Sequence, residues 1–191
     1  MLTSLAGGEV MATAEEFDMV VLGGGPGGYA AALYGASAGL SVAVVEKDKV
    51  GGACLHRGCI PAKEFLETAS VFRTVAGAKE FGVEAGQPSV DFAASQARKA
   101  KVVDQLWRGL SGLMRSRGIT TVEGTGRLLG GRLVEVEAAD GPARQLAGRA
   151  VVLATGSVPR SLPGFELEGE RIMSSDQFLD LSRLPSSAAV I

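Results

Sequence analysis

Uninterrupted apolar runs alternate along the chain with stretches of helical period. The first run, Met19-Val20-Val21-Leu22, has no polar position to offer a wet face and suits a strand buried on both sides of a parallel sheet. A glycine-dense turn follows, then an alanine-rich stretch that predicts a helix over 27–38, with Gly39 placed for a left-handed C-terminal cap. A second apolar run, SVAVVE at 41–46, predicts another buried strand. Residues 62–76 predict a helix with Phe65, Ala69 and Phe72 on one stripe. A longer helix is predicted over 91–117, where Phe92, Val102, Val103, Leu106, Leu110 and Leu113 mostly recur at helical spacing and Gly118 supplies the cap. From Ile119 the period shortens toward two, and Gly130-Gly131 marks a hairpin turn. Residues 149–157 predict a further buried strand ending in a small-residue turn, and the tail LPSSAAVI begins another apolar strand.

A β-α-β unit as compact as 17–48 opens a doubly wound parallel sheet, so the expected fold is α/β with a hairpin inserted after the long helix. At 191 residues the chain has room for one domain with a substantial core, or a domain plus part of another. A net charge of −2 argues against a nucleic-acid or anionic-membrane surface. No apolar run reaches the ~18 residues of a membrane span. Residues 1–15 lack the basic start and long apolar stretch of a secretory signal; they read as a flexible extension, with Met11 an alternative start. Two cysteines are too few for a secreted disulfide scaffold, which makes the expected location cytoplasmic. Glycine changes the picture: 27 residues is about twice the usual ~7%, and they cluster.

Gly23, Gly25 and Gly28 fit G-x-G-x-x-G between a predicted strand and a predicted helix. Side chains there would hold the backbone away from a pyrophosphate, and a helix N-terminus offers free N–H groups and a positive dipole end to phosphates. The pattern is weak alone in so glycine-rich a chain. It gains weight from Glu46, 18 residues beyond Gly28 at the end of the second strand, where a carboxylate can accept ribose hydroxyls. A dinucleotide site is the better reading over a tight turn with a surface acid; the loop does not choose between NAD and FAD.

The only cysteines, Cys54 and Cys59, follow in GGACLHRGCIPAK. A four-residue gap is wrong for a C-x-x-C zinc knuckle, and His56 is the only histidine, so no metal is expected. A structural disulfide closing so small a loop would constrain little. A redox-active pair suits a short glycine-flanked loop best. Pro61 disfavours helical geometry at Ile60 but suits the first turn of a helix running through Lys63, which leaves Cys59 near that helix's N-terminus. Arg57 and Lys63 add positive charge, and Lys63 lies four residues beyond Cys59 on the same helical face. His56, between the two cysteines, reads as a loop contact rather than a catalytic base.

VVLGGGPGGYAAAL, VEKDKVGGACLHRGCIPAK, EGTGR and LATGSVPRSLPG together resemble the flavin domain of the pyridine nucleotide–disulfide oxidoreductases, in their family order and from about Phe17 to Ile191. The leucine after the first cysteine and the isoleucine before the proline resemble the dihydrolipoamide dehydrogenase branch. That resemblance implies a Rossmann-like FAD-binding domain in which Gly23, Gly25 and Gly28 hold the FAD pyrophosphate and Glu46 the adenosine ribose. Lys47 through Cys54 would run along the cofactor, with Gly51 and Gly52 in close backbone contact. Lys63 would lie beside the flavin, Gly126 would meet the adenine by backbone, and Thr155, Gly156 and Ser157 would line the cofactor. Cys59 would face the flavin, and Cys54 would exchange with substrate. The implied reaction passes electrons from dihydrolipoamide through the disulfide and FAD to NAD⁺, in a homodimer that serves the lipoyl group of a 2-oxoacid dehydrogenase complex.

Ala53 and Ala62 depart from the family's usual Thr and Ser without touching the thiols. The resemblance divides the chain into an extension at 1–15, the N-terminal part of a flavin domain at 16–185, and at 186–191 the first strand of an NAD-binding domain. The NAD site and the catalytic His-Glu pair would lie beyond Ile191, so this fragment alone is expected to be inactive. Two other readings are a disulfide reductase acting on glutathione, mycothiol or mercuric ion, and a FAD-binding module without activity.

Overall fold

The computed structural model describes residues 14–138 and 141–191; residues 1–13, where most of the expected extension falls, lie outside it. Six strands form one sheet in the order β3-β2-β1-β6-β5-β4. The strands are β1 (Glu15–Leu22), β2 (Val42–Glu46), β3 (Thr120–Glu123), β4 (Thr125–Gly130), β5 (Leu133–Glu137) and β6 (Arg144–Leu153). The helices are α1 (Pro26–Ser37), α2 (Gly52–His56), α3 (Cys59–Gly77), α4 (Phe92–Ser116) and α5 (Ser175–Leu179), with a 3-10 turn at Ala78–Phe81. β3, β2, β1 and β6 run parallel, and β5 and β4 complete an antiparallel meander.

The apolar runs explain this layering. Alternate residues of β1 and β2 point to opposite faces, and both faces are covered. Met19, Val21, Val42 and Val44 pack with Ala32, Met114 and Ile119 beneath α1 and α4. Val20, Leu22, Ala43 and Val45 pack with Val122, Val134, Val136 and Leu146, because the sheet curls and lays the meander over its own parallel half. Fully burying each Val or Leu contributes about 1.5–3 kcal/mol, so the central strands anchor whatever is built on their C-terminal ends. The expected α/β class holds, with helices on one face of the sheet and the meander on the other.

Several boundaries differ from expectation. β1 includes Glu15, the last residue of the expected extension. The stretch between the cysteines is not a plain loop, since Gly52–His56 makes one helical turn. α3 begins at Cys59, three residues before the predicted start; Ile60 is helical despite preceding Pro61, whose missing N–H falls among the first-turn donors that have no intrahelical partner anyway. β6 starts at Arg144 because its first half pairs with β5 as well as β1, and it ends at Leu153 rather than 157. Residues 184–191 carry no strand; Val190 and Ile191 are 98% exposed, an apolar run with no neighbouring strand to pair with. The hairpin turns where the glycines predict, with Gly130 at φ 104° and Gly131 at φ 56°.

Candidate functional site

β1 ends at Leu22 and the chain turns sharply into α1. Gly23 sits at φ 99° and donates its N–H to the Val45 carbonyl at 2.8 Å, which locks the turn to the end of β2. The turn leaves no space for a side chain at Gly23 or Gly28. A Cβ on Gly23 would overlap the Ala154 carbonyl oxygen, and one on Gly28 would overlap the carbonyl oxygen of Gly23. Gly25 is the N-cap of α1, with Pro26 following it, no side-chain cap and no acidic residue in the first turn. A bare backbone cradle thus faces a helix N-terminus whose leading N–H groups are available to an anion.

Glu46 closes one side of the cradle. Its Oε2 accepts the Gly24 N–H at 2.7 Å and its Oε1 accepts the Asp48 N–H at 3.0 Å. The carboxylate is therefore held by backbone and keeps lone pairs free for a further donor. Gly51 and Gly52 close the other side: the Gly51 N–H donates to the Gly24 carbonyl at 2.8 Å, and a Cβ on Gly52 would stand 2.7 Å from the Gly25 Cα. Residues separated in sequence by more than twenty positions meet here through backbone.

α2 leaves Gly52 at once and carries Cys54; α3 opens with Cys59 behind its N-cap Gly58. The two cysteines form a disulfide with Cα atoms 4.7 Å apart. Cys59, in the first turn of a nineteen-residue helix, occupies a position where the dipole favours a thiolate. Lys63 is one turn further along α3 and exposed, and Lys47 is exposed beyond β2. Thr155, Gly156 and Ser157 leave β6 just past Ala154, which abuts Gly23, so they start from the same end of the sheet. Gly126 lies on β4, where a Cβ would meet Val45 at 3.0 Å. Apart from Lys63, which stands exposed along α3, the expected site residues follow from the C-terminal ends of β1, β2 and β6, with Gly126 on the meander against Leu22 and Val45.

His56 makes a loop contact, as its place between the cysteines suggests, donating Nε2–H to the Val50 carbonyl at 3.0 Å. Other contacts had no sequence signal: Arg57 reaches Asp48 at 3.2 Å and Asp176 at 3.6 Å. A cavity of about 550 Å³ opens beside Glu46, walled by Lys49, Trp107, Arg115 and Glu123, with the Lys49 ammonium 4.9 Å from the Trp107 ring centre. Nothing in the spacing of positions 49 and 107 announces that meeting, because the path of α4 decides it.

A family model described as pyridine nucleotide-disulphide oxidoreductase matches residues 17–191. A dihydrolipoyl dehydrogenase of Bacillus subtilis is 44% identical over 186 residues, covering 93% of this chain and 39% of that protein. One from Chlamydia trachomatis is 41% identical over 179 residues, covering 93% and 38%. Among solved structures, LpdA from Mycobacterium tuberculosis superposes with a TM-score of 0.80 at 29% identity, over 90% of this chain and 38% of that one. The chain thus spans less than two fifths of the length of these relatives.

Proposed function

The chain belongs to the pyridine nucleotide-disulphide oxidoreductase family, and on that premise we propose that it forms the flavin-binding and disulfide-bearing part of a dihydrolipoamide dehydrogenase. The observation that carries this reading is the Cys54–Cys59 disulfide, which joins α2 to the N-terminus of α3 where Gly52 packs against Gly25 of the glycine turn. The cradle fits a dinucleotide, since at Gly23, Gly28 and Gly52 backbone packs against backbone with no room for a Cβ. Gly23, Gly25 and Gly28 would hold the FAD pyrophosphate at the start of α1, and Glu46 would accept the adenosine ribose. Lys47, Gly51, Gly52, Cys54 and Lys63 would follow the cofactor, Gly126 would meet the adenine, and Thr155, Gly156 and Ser157 would line the remaining wall. FAD, when bound, supplies the two-electron acceptor for the reduced thiol pair.

The chain supplies both enzyme sulfurs of the thiol exchange. A thiolate of dihydrolipoamide attacks the sulfur of Cys54, forming a mixed disulfide and breaking the Cys54–Cys59 bond. Cys59 leaves as a thiolate, a form that the N-terminal dipole of α3 favours. The second substrate thiol then displaces Cys54, leaving the two enzyme thiols and cyclic lipoamide. The substrate is taken to be the lipoyl group of a 2-oxoacid dehydrogenase complex, NAD⁺ the final acceptor, the assembly a homodimer and the compartment the cytoplasm. Among the described residues no helix is long and apolar enough to cross a membrane.

Cys54→Ser in the full-length protein tests the thiol assignment. Dihydrolipoamide oxidation is expected to fall by at least about a thousandfold while FAD stays bound, because backbone rather than that sulfur forms the cradle. The visible spectrum after desalting reads the flavin directly. A colourless variant would show that the sulfur and the cradle have been wrongly separated.

A further inference from the structure

α2 is a single helical turn of five residues, too short to hold its shape from its own hydrogen bonds. In the oxidised chain the disulfide fastens it to α3. Once that bond opens, Cys54 keeps its place only through non-covalent tethers. Leu55 supplies one by burial against Gly51. The others come from consecutive side chains at the C-terminal end of α2: His56 donates to the Val50 carbonyl at 3.0 Å, and Arg57 pairs with Asp48 at 3.2 Å and with Asp176 at 3.6 Å. Val50 is buried and Asp48 is fixed through its own N–H to Glu46, so both tethers end on the turn that carries the nucleotide carboxylate.

We propose that His56, seconded by Arg57, is a positioning residue that holds Cys54 in register with Cys59 while the disulfide is open. This rests on the redox role assigned above to the pair. The half-buried His56 bond carries most of the effect, since the Arg57 pairs are about half exposed and such pairs are weak. The direction follows from which state needs the tether. The disulfide holds α2 whether or not His56 is present, whereas the dithiol without His56 gains freedom. Removing the tether therefore favours the reduced form and makes the disulfide easier to reduce.

The test is a redox titration of the full chain against dithiothreitol. Each dithiothreitol gives two electrons and two protons to the Cys54–Cys59 bond, yielding two thiols and its own cyclic disulfide, and alkylation followed by mass measurement counts the thiols. His56→Ala is expected to reach half-reduction at a three- to tenfold lower ratio of reduced to oxidised dithiothreitol than wild type; tenfold corresponds to about 30 mV for two electrons. His56→Gln, whose amide nitrogen reaches as far as Nε2 and still donates, is expected to return to within about twofold of wild type. Circular dichroism of the oxidised proteins checks that each is folded. Should the alanine variant not fold, His56→Phe keeps the ring volume without the donor and gives the same reading. Coincident curves for wild type and a folded donorless variant overturn the positioning role. A wild-type pair that does not cycle reversibly overturns instead the redox reading beneath it.

Discussion

Adding one methyl group at position 28 separates the part of the nucleotide turn that geometry enforces from the part that is merely glycine. A Cβ there overlaps the Gly23 carbonyl oxygen, while a Cβ at Gly25 stands 3.8 Å from the nearest atom, ordinary contact. Gly28→Ala must push α1 away from β1. It is expected to cost about 1–3 kcal/mol, a melting point lower by ~2–4 °C for each kcal/mol, and to weaken FAD binding in the same preparation. Gly25→Ala should melt within a degree or two of wild type; an equal loss in both variants would mean that the turn is not built on the Gly23–Gly28 contact. The same contrast explains what could be read from the sequence at this scale. Gly23 and Gly28 are legible because backbone crowding dictates the residue type, and Glu46 because its place at the end of β2, 18 residues beyond Gly28, is the one the dinucleotide-binding pattern reserves for an acid. The choice of Val50 as the partner of His56 and the stacking of Lys49 on Trp107 are not, because many residue types are compatible with those positions and only the folded path brings them together.

Elements were legible where a strand was buried on both sides or a helix was bounded by clear caps. β1 and β2 lie within a few residues of their predicted limits because each is an apolar run covered on both faces, and α1 and α4 because Gly25 and Asp91 start them and Gly39 and Gly118, both at positive φ, follow their ends. α2 has too few residues to show a period. α5 announces itself only through its capping box, in which the Ser174 hydroxyl accepts the Gln177 N–H while the Gln177 side chain accepts the Ser174 N–H. The tie between the starts of β1 and β2 was also hidden. Asp18 accepts the Ser41 N–H at 3.0 Å and the Ser41 hydroxyl at 2.8 Å, and Arg149 of β6 reaches it at 3.1 Å. The Ser41 backbone bond first, then its hydroxyl, then Arg149 hold the Asp18 carboxyl below its ordinary value of 3.8. A carboxylate whose folded pKa is lowered adds stability that is complete above the unfolded value and is lost as pH falls through the folded one. Asp18→Asn should therefore melt about 1–3 °C below wild type at pH 6–7, with the gap closing as the pH drops below about 4. A gap that persists unchanged to pH 2.5 would show that the charge of Asp18 is not what ties these strands.

Across the whole molecule, the segment that follows β6 has little regular structure, yet it returns to the helical face and is clasped there. Lys99 of α4, only 9% exposed, donates its Nζ to the Leu179 carbonyl at 2.9 Å and lies 3.4 Å from the Asp180 carboxylate. Gln96, one turn earlier, donates to the carbonyls of Leu179 at 3.3 Å and Leu181 at 2.6 Å. Beneath them Phe65 of α3 stacks on Phe92 at 5.5 Å, and the Lys99 ammonium lies 5.7 Å from the Phe65 ring centre. This clasp fastens α5 to the α3–α4 pair, and through Asp176 and Arg57 α5 in turn touches the helix that carries Cys54. Lys99→Met keeps the apolar stem and removes the ammonium, leaving the Leu179 carbonyl with only its long bond to Gln96. Because the clasp lies outside the central sheet, its loss should loosen one region rather than the fold. Hydrogen exchange is expected to quicken about tenfold in peptides covering 174–184, with β1 and β2 unchanged and the melting point lower by no more than ~2–4 °C. Exchange that quickens equally in β1 and in 174–184 would make Lys99 a contributor to global stability and remove the local clasp from this account.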